Sequence, residues 1–161
     1  MGSIRCCSLL LYPAACSSGS GICELCPEVT LNGSLGAASP QEAGRLIRDG
    51  VVATCAAPKV CPGLNDPTSR SYNAHTFFNG PSDACITVSL TGALGDDVFS
   101  AAYLGSFVPA SLCANYLADC GSSTGVGGTP RVYSFNVAAN QVFVVTVNEV
   151  TAGSGGEYAL S

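Results

Sequence analysis

The chain has 161 residues, with six Lys and Arg against eleven Asp and Glu for a formal charge of -5, and only 11% of it is charged where an ordinary soluble domain carries about 25%. That composition, with a mean hydropathy of +0.37, excludes an intrinsically disordered chain, and the acidic balance argues against nucleic acid as a partner because counterion release needs clustered basic side chains. Ten cysteines in a chain with 19 glycines point to a disulfide framework made in an oxidising compartment, hence to an extracellular or cell-surface protein.

Residues 1–28 differ from the rest and read as a Cys-rich N-terminal arm ahead of a domain spanning 29–161. Arg5 precedes the apolar run Leu9, Leu10, Leu11 and Tyr12, and Pro13, Ala14, Ala15 and a small-residue stretch follow. A secretion signal has that order of parts, but its apolar centre here is short, so an extended arm retained and docked on the domain is preferred. Five cysteines fall in it, Cys6, Cys7, Cys16, Cys23 and Cys26, and five beyond it, Cys55, Cys61, Cys85, Cys113 and Cys120. If all are oxidised, an odd number of bonds must leave the arm, for the domain or for another chain. Adjacent Cys6 and Cys7 favour two separate partners. Cys55 with Cys61, and Cys113 with Cys120, could each close a small local loop. The Cys23-x-x-Cys26 pair has no second pair or matching histidines, so neither metal nor cofactor is expected.

From Pro27 onward the pattern is β. Val29-Thr30-Leu31 leads into Asn32-Gly33-Ser34, read as a turn and also the chain's one Asn-x-Ser/Thr sequon, which makes Asn32 a glycosylation candidate. Residues 41–49 could form a helical turn or a strand around Arg45-Leu46-Ile47-Arg48, and Pro58, Pro62, Gly63 and Pro67 mark a loop region. Tyr72 to Phe78 alternates up to Asn79-Gly80-Pro81. Cys85 to Leu90 puts Ile86, Val88 and Leu90 on one face, Val98 to Phe107 is apolar, and Arg131 to Val137 puts Tyr133, Phe135 and Val137 on one face. After a turn at 138–141, Val142 to Val147 is apolar on both faces at its start, as a central strand is, and Glu157 to Leu160 would be a short closing strand. Short strands at regular spacing with turn signals predict an all-β, disulfide-stapled β-sandwich. Residues 98–118 are uncharged, but Gly105, Pro109 and Asn115 speak against a membrane span.

Residues from about 45 to the C-terminus resemble a β-sandwich module of large secreted and surface bacterial proteins, of the pre-peptidase C-terminal type. The resemblance rests on Gly44-Arg45-Leu46 with Asp49-Gly50-Val51, on Thr54 to Lys59 with Cys61-Pro62-Gly63, on Ala101 to Phe107 with Leu112-Cys113 and Asn115 to Asp119, and on a hairpin from Tyr133–Val137 to Val142–Val145. It implies an accessory or structural unit without a shared active site.

No constellation of residues points to catalysis. His75 is the only imidazole and sits mid-strand with nothing in sequence to orient it. Asp96-Asp97 and Asp119 have no calcium-loop spacing, Glu149 and Glu157 have nothing to bring them face to face, and Gly125-Val126-Gly127-Gly128 lacks the Lys of a phosphate loop. Six Tyr and six Phe in strand-like alternation are core candidates, and any exposed ring would be a sugar platform. The leading expectation is a structural subunit assembling with its own copies into a filament or surface fibre. Low charge weakens repulsion between subunits, and Leu9, Leu10, Leu11 and Tyr12 could add as a donated strand to a neighbour's sheet edge. The alternative is an accessory or adhesive module that binds polysaccharide or protein.

Overall fold

The computed structural model describes residues 29–161, which form an all-β sandwich. The strands are β1 (Leu31–Leu35), β2 (Gln41–Glu42), β3 (Arg45–Leu46), β4 (Leu64–Asp66), β5 (Arg70–Phe78), β6 (Ala84–Gly92), β7 (Val98–Leu104), β8 (Tyr116–Asp119), β9 (Arg131–Val137), β10 (Val142–Glu149) and β11 (Gly156–Leu160). A four-stranded sheet has the order β1-β11-β6-β9 and a five-stranded sheet the order β2-β5-β10-β7-β8, with β3 and β4 as a separate pair. All pairings are antiparallel.

Alternation explains the core. In β6, Ile86, Val88 and Leu90 are fully buried, and β9 turns Tyr133, Phe135 and Val137 to the same side, so the four-stranded sheet contributes one apolar face. The five-stranded sheet answers with Phe77 of β5 and Phe143 of β10, stacked at 5.3 Å, and Phe135 meets Phe143 across the layers at 5.6 Å, edge to face. Tyr133 reaches the other sheet through its hydroxyl, 2.8 Å from Ser100 Oγ of β7.

Strand β10 is central, bonded to β5 on one side and β7 on the other, and from Phe143 to Glu149 it is buried on both faces. Its second face carries Val144 beside Tyr103, and Phe107 from the following loop packs on Tyr103 at 4.7 Å and on Tyr72 at 5.0 Å.

Several local expectations change. Asn32-Gly33-Ser34 is the middle of strand β1, not a turn, because β1 pairs with β11 through all five of its residues. Of the two alternatives for residues 41–49 it is the strand that forms, as β3 at Arg45–Leu46 with β2 at Gln41–Glu42 before it. Strands β9 and β10 do not form a hairpin: β9 pairs with β6 and β10 with β5 and β7, so 138–141 crosses between sheets. Sequence periodicity cannot separate a hairpin from such a crossing, since both need a turn between two strands.

The disulfides are long-range, Cys55–Cys85 and Cys61–Cys113, and not the local loops that spacing allowed. The segment 49–63 lies along the side of the sandwich where β8 and β9 are the sheet edges. Ser134 N of β9 donates to Ala53 O, Ala53 N donates to Asp119 O of β8, and Gly50 N donates to Gly121 O. Each disulfide therefore fixes this segment to a different partner, one to β6 and one to the loop before β8. Disulfides of this kind belong to a chain folded outside the reducing cytosol. Among the described residues no helix is long and apolar enough to cross a membrane.

Cys120 is fully buried and makes no disulfide among the described residues; its Sγ donates to Ser122 O at 3.1 Å. Burial pushes its thiol up to about 12. Cys6, Cys7, Cys16, Cys23 and Cys26, and the strand-donation run Leu9–Tyr12, lie outside the described residues.

Candidate functional site

The outward face of the four-stranded sheet is built of small and polar side chains, because every second residue of its strands points away from the core. Across β1, β11 and β6 the register sets Asn32 beside Ala159 and Ala159 beside Thr91, with Ser34 beside Glu157. These residues, with Gly33, Gly92, Ala93 and Tyr158, line an open groove of about 580 Å3. Asn32, Ser34, Thr91 and Glu157 are exposed. The groove offers amide, hydroxyl and carboxylate groups over a flat floor, a surface that recognises by hydrogen bonds.

Beneath it, Tyr158 turns inward and crosses to the other sheet. Its hydroxyl accepts from Asn73 Nδ2 at 2.9 Å and lies 2.8 Å from His75 Nε2. Gly33 makes this possible, since a Cβ there would come within 2.3 Å of the Tyr158 hydroxyl. His75 is thus a packing partner of Tyr158, and burial lowers its pKa from the usual imidazole value.

The remaining acids serve the scaffold. Glu149 is buried and accepts from the backbone N–H groups of Ser71, Gly153 and Gly155. Burial pushes its carboxyl up, but those three donors outweigh it and hold the group below its ordinary range. Glu157 is exposed in the groove, so the two glutamates do not form a paired-carboxylate site. Asp96 accepts from Glu157 N, and Asp97 accepts from Gly125 N and pairs with Arg48 at 3.5 Å. The Gly125–Gly128 tip is therefore held by Asp97. No cluster of three or more potential metal ligands occurs among the described residues.

Asp119 has a different partner. Lys59 Nζ lies 2.8 Å from its Oδ1 and 3.0 Å from its Oδ2, 2.6 Å from Asp49 Oδ1 and 2.9 Å from Val51 O. Tyr116 OH donates to Asp119 Oδ2, and Gly121 N donates to Oδ1 at 2.7 Å. The Asp119 side chain is 0% exposed and that of Lys59 is 8%. Asp119, a calcium-ligand candidate from sequence, is thus the partner of Lys59, and the signal in the sequence for that pairing is that Lys59 is the only lysine in the chain.

Among the described residues no ring is exposed to serve as a sugar platform. The large apolar side chains that are exposed are aliphatic, among them Val51, Val52, Val60, Leu94 and Val126, while the described rings are buried or half-buried. The sequon residue Asn32 is exposed at the edge strand, within the groove.

No protein-family model matches the chain, and no curated protein matches it. Among solved structures the chain is similar to CBM35 from Cellvibrio japonicus Abf62, at 13% identity and a TM-score of 0.31, covering 81% of this chain and 93% of that one. A likeness that loose assigns no function. What stands of the resemblance to secreted bacterial modules is the β-sandwich itself.

Proposed function

We propose that this domain is a non-catalytic, extracellular recognition module that binds an extended polar polymer, a polysaccharide strand, along the groove over β1, β11 and β6. The observation that carries the reading is the composition of that face: Asn32, Ser34, Thr91 and Glu157 converge on a floor of Gly and Ala, so a chain of hydroxyl groups can lie flat and be held by hydrogen bonds. Without an exposed ring among the described residues, affinity would come from several weak polar contacts in series and not from stacking.

Affinity gel electrophoresis against a panel of soluble plant and bacterial polysaccharides tests this. Retardation by at least one polymer is expected, and Asn32→Ala with Glu157→Ala should weaken it about tenfold, the loss of one or two hydrogen bonds to a polar ligand. No retardation by any polymer, or retardation that the double variant leaves unchanged, removes the groove as the site.

A second reading, a self-assembling fibre subunit, is favoured by one observation. Strand β2 covers β5 only at Arg70 and Ser71, so from Asn73 to Phe78 the outer edge of β5 has no strand partner among the described residues. An open edge accepts a strand from another chain, and Leu9–Tyr12 is the segment that would be donated. Electron microscopy of the purified full chain separates the readings: fibres that disappear when residues 1–26 are deleted support donation, and dispersed particles remove it.

A further inference from the structure

The chain's single lysine is not on the surface, where a lone lysine in so weakly charged a protein would be expected to aid solubility. It is enclosed against a carboxylate that solvent does not reach. We propose that Lys59 and Asp119 are joined by an intramolecular amide bond between Nζ and Cγ, formed by the folded chain itself. The bond would weld segment 49–63 to β8, on the same side of the sandwich that both disulfides secure.

The geometry supplies each part of the reaction. Nζ touches both oxygens of Asp119, at 2.8 and 3.0 Å, so amine and carboxyl meet at contact distance and a condensation that is negligible between separate molecules becomes effectively unimolecular. Asp49, 2.6 Å from Nζ and with a side chain 32% exposed, is placed to receive protons from the nitrogen and pass them on. Gly121 N–H, 2.7 Å from Oδ1, faces the oxygen that gains negative charge when Nζ adds to Cγ. Tyr116 OH donates to Oδ2, the oxygen that departs.

The balance is simple. An ammonium and a carboxylate become one amide and one water: the Nζ–Cγ bond forms, the Cγ–Oδ2 bond breaks, and two of the three nitrogen protons leave with Oδ2. Nothing is oxidised or reduced, and no co-reactant is needed. The inference is independent of what the groove binds.

Mass spectrometry of the purified full chain, reduced and alkylated in denaturant, tests it. The intramolecular condensation leaves the chain lighter than its sequence by one water, about 18 Da. Trypsin should fail to cut after Lys59, and the peptide containing it should be found linked to the one containing Asp119. Lys59→Arg and Asp119→Ala should each restore the full mass. Asp49-Gly50 could lose the same mass by cyclising on its own backbone, so location decides. A wild-type chain at full sequence mass, a deficit that persists in Lys59→Arg, or Lys59 labelled by an amine-reactive ester in denaturant each overturns the proposal and leaves an ion pair only.

Discussion

The side-chain amide of Asn79, in the turn from β5 to β6, donates to the carbonyl of Val137 at the end of β9, 58 positions along the chain and 3.0 Å away. The same nitrogen reaches Ser82 O at 2.9 Å and Ala138 O at 2.8 Å, so one nearly inaccessible amide ties together the two turns that cross between the sheets. Asn79→Ala leaves those carbonyls without their donor, and a loss of about 2–3 kcal/mol is expected. Urea unfolding at constant m-value checks it; a change under about 0.5 kcal/mol would mean that water replaces the amide.

Glu42 makes stability depend on pH. Burial pushes its carboxyl up from 4.5 to about 8, with the Arg70 guanidinium pulling it partly back. The folded chain therefore keeps a proton that the unfolded chain releases between those values, so stability is greatest at the acid side of the window and falls as pH rises through it. Glu42→Gln should flatten this slope and gain on wild type by on the order of a few kcal/mol between pH 5 and 8. Parallel urea curves for the two proteins across that range would contradict it.

Gly33 and Tyr158 are coupled across the groove floor. A methyl at position 33 occupies the space of the Tyr158 hydroxyl, which must then give up Asn73 and His75. Gly33→Ala is expected to cost about 1–3 kcal/mol, as over-packing does, and Gly33→Ala with Tyr158→Phe less than the sum of the two single changes. A double-mutant cycle by thermal unfolding measures the coupling, and strict additivity would refute it.

The two disulfides close loops of 30 and 52 residues in sequence separation, and removing either as a Cys→Ser pair is expected to destabilise the domain by about 4 kcal/mol, slightly more for Cys61–Cys113. Cys120 should behave oppositely. With a buried thiol whose pKa is about 12, it should resist iodoacetamide in the native protein and react only on unfolding, read by peptide mass spectrometry. Rapid native alkylation would show that β8 opens locally.

Much of the fold was legible from periodicity. Tyr72–Phe78, Cys85–Leu90 and Arg131–Val137 fall within observed strands, because burial on one sheet face enforces a period of two; Val142–Val147 lies within β10 and Val98–Phe107 overlaps β7 up to Leu104, both found from continuous apolar character and not from alternation. Short pairings were not legible. β2, β3 and β4 have two or three residues each, too few for a period to show, and they exist through long-range pairing, β2 with β5 and β3 with β4. Asn32-Gly33-Ser34 misled for a similar reason. Asn-Gly has strong local turn chemistry, but pairing with β11 and the room that Tyr158 needs overrule it.

By itself the sequence determined the class: scarce charge, ten cysteines and alternating apolar residues leave an all-β domain folded under oxidising conditions. Which cysteines pair, which strands share a sheet, and that Lys59 meets Asp119 were decided only in three dimensions. The physical reason is range. Alternation and turn chemistry act between neighbours a few residues apart, whereas Cys61 and Cys113, or Lys59 and Asp119, are brought together only once two sheets have packed and a loop has been drawn across their edges.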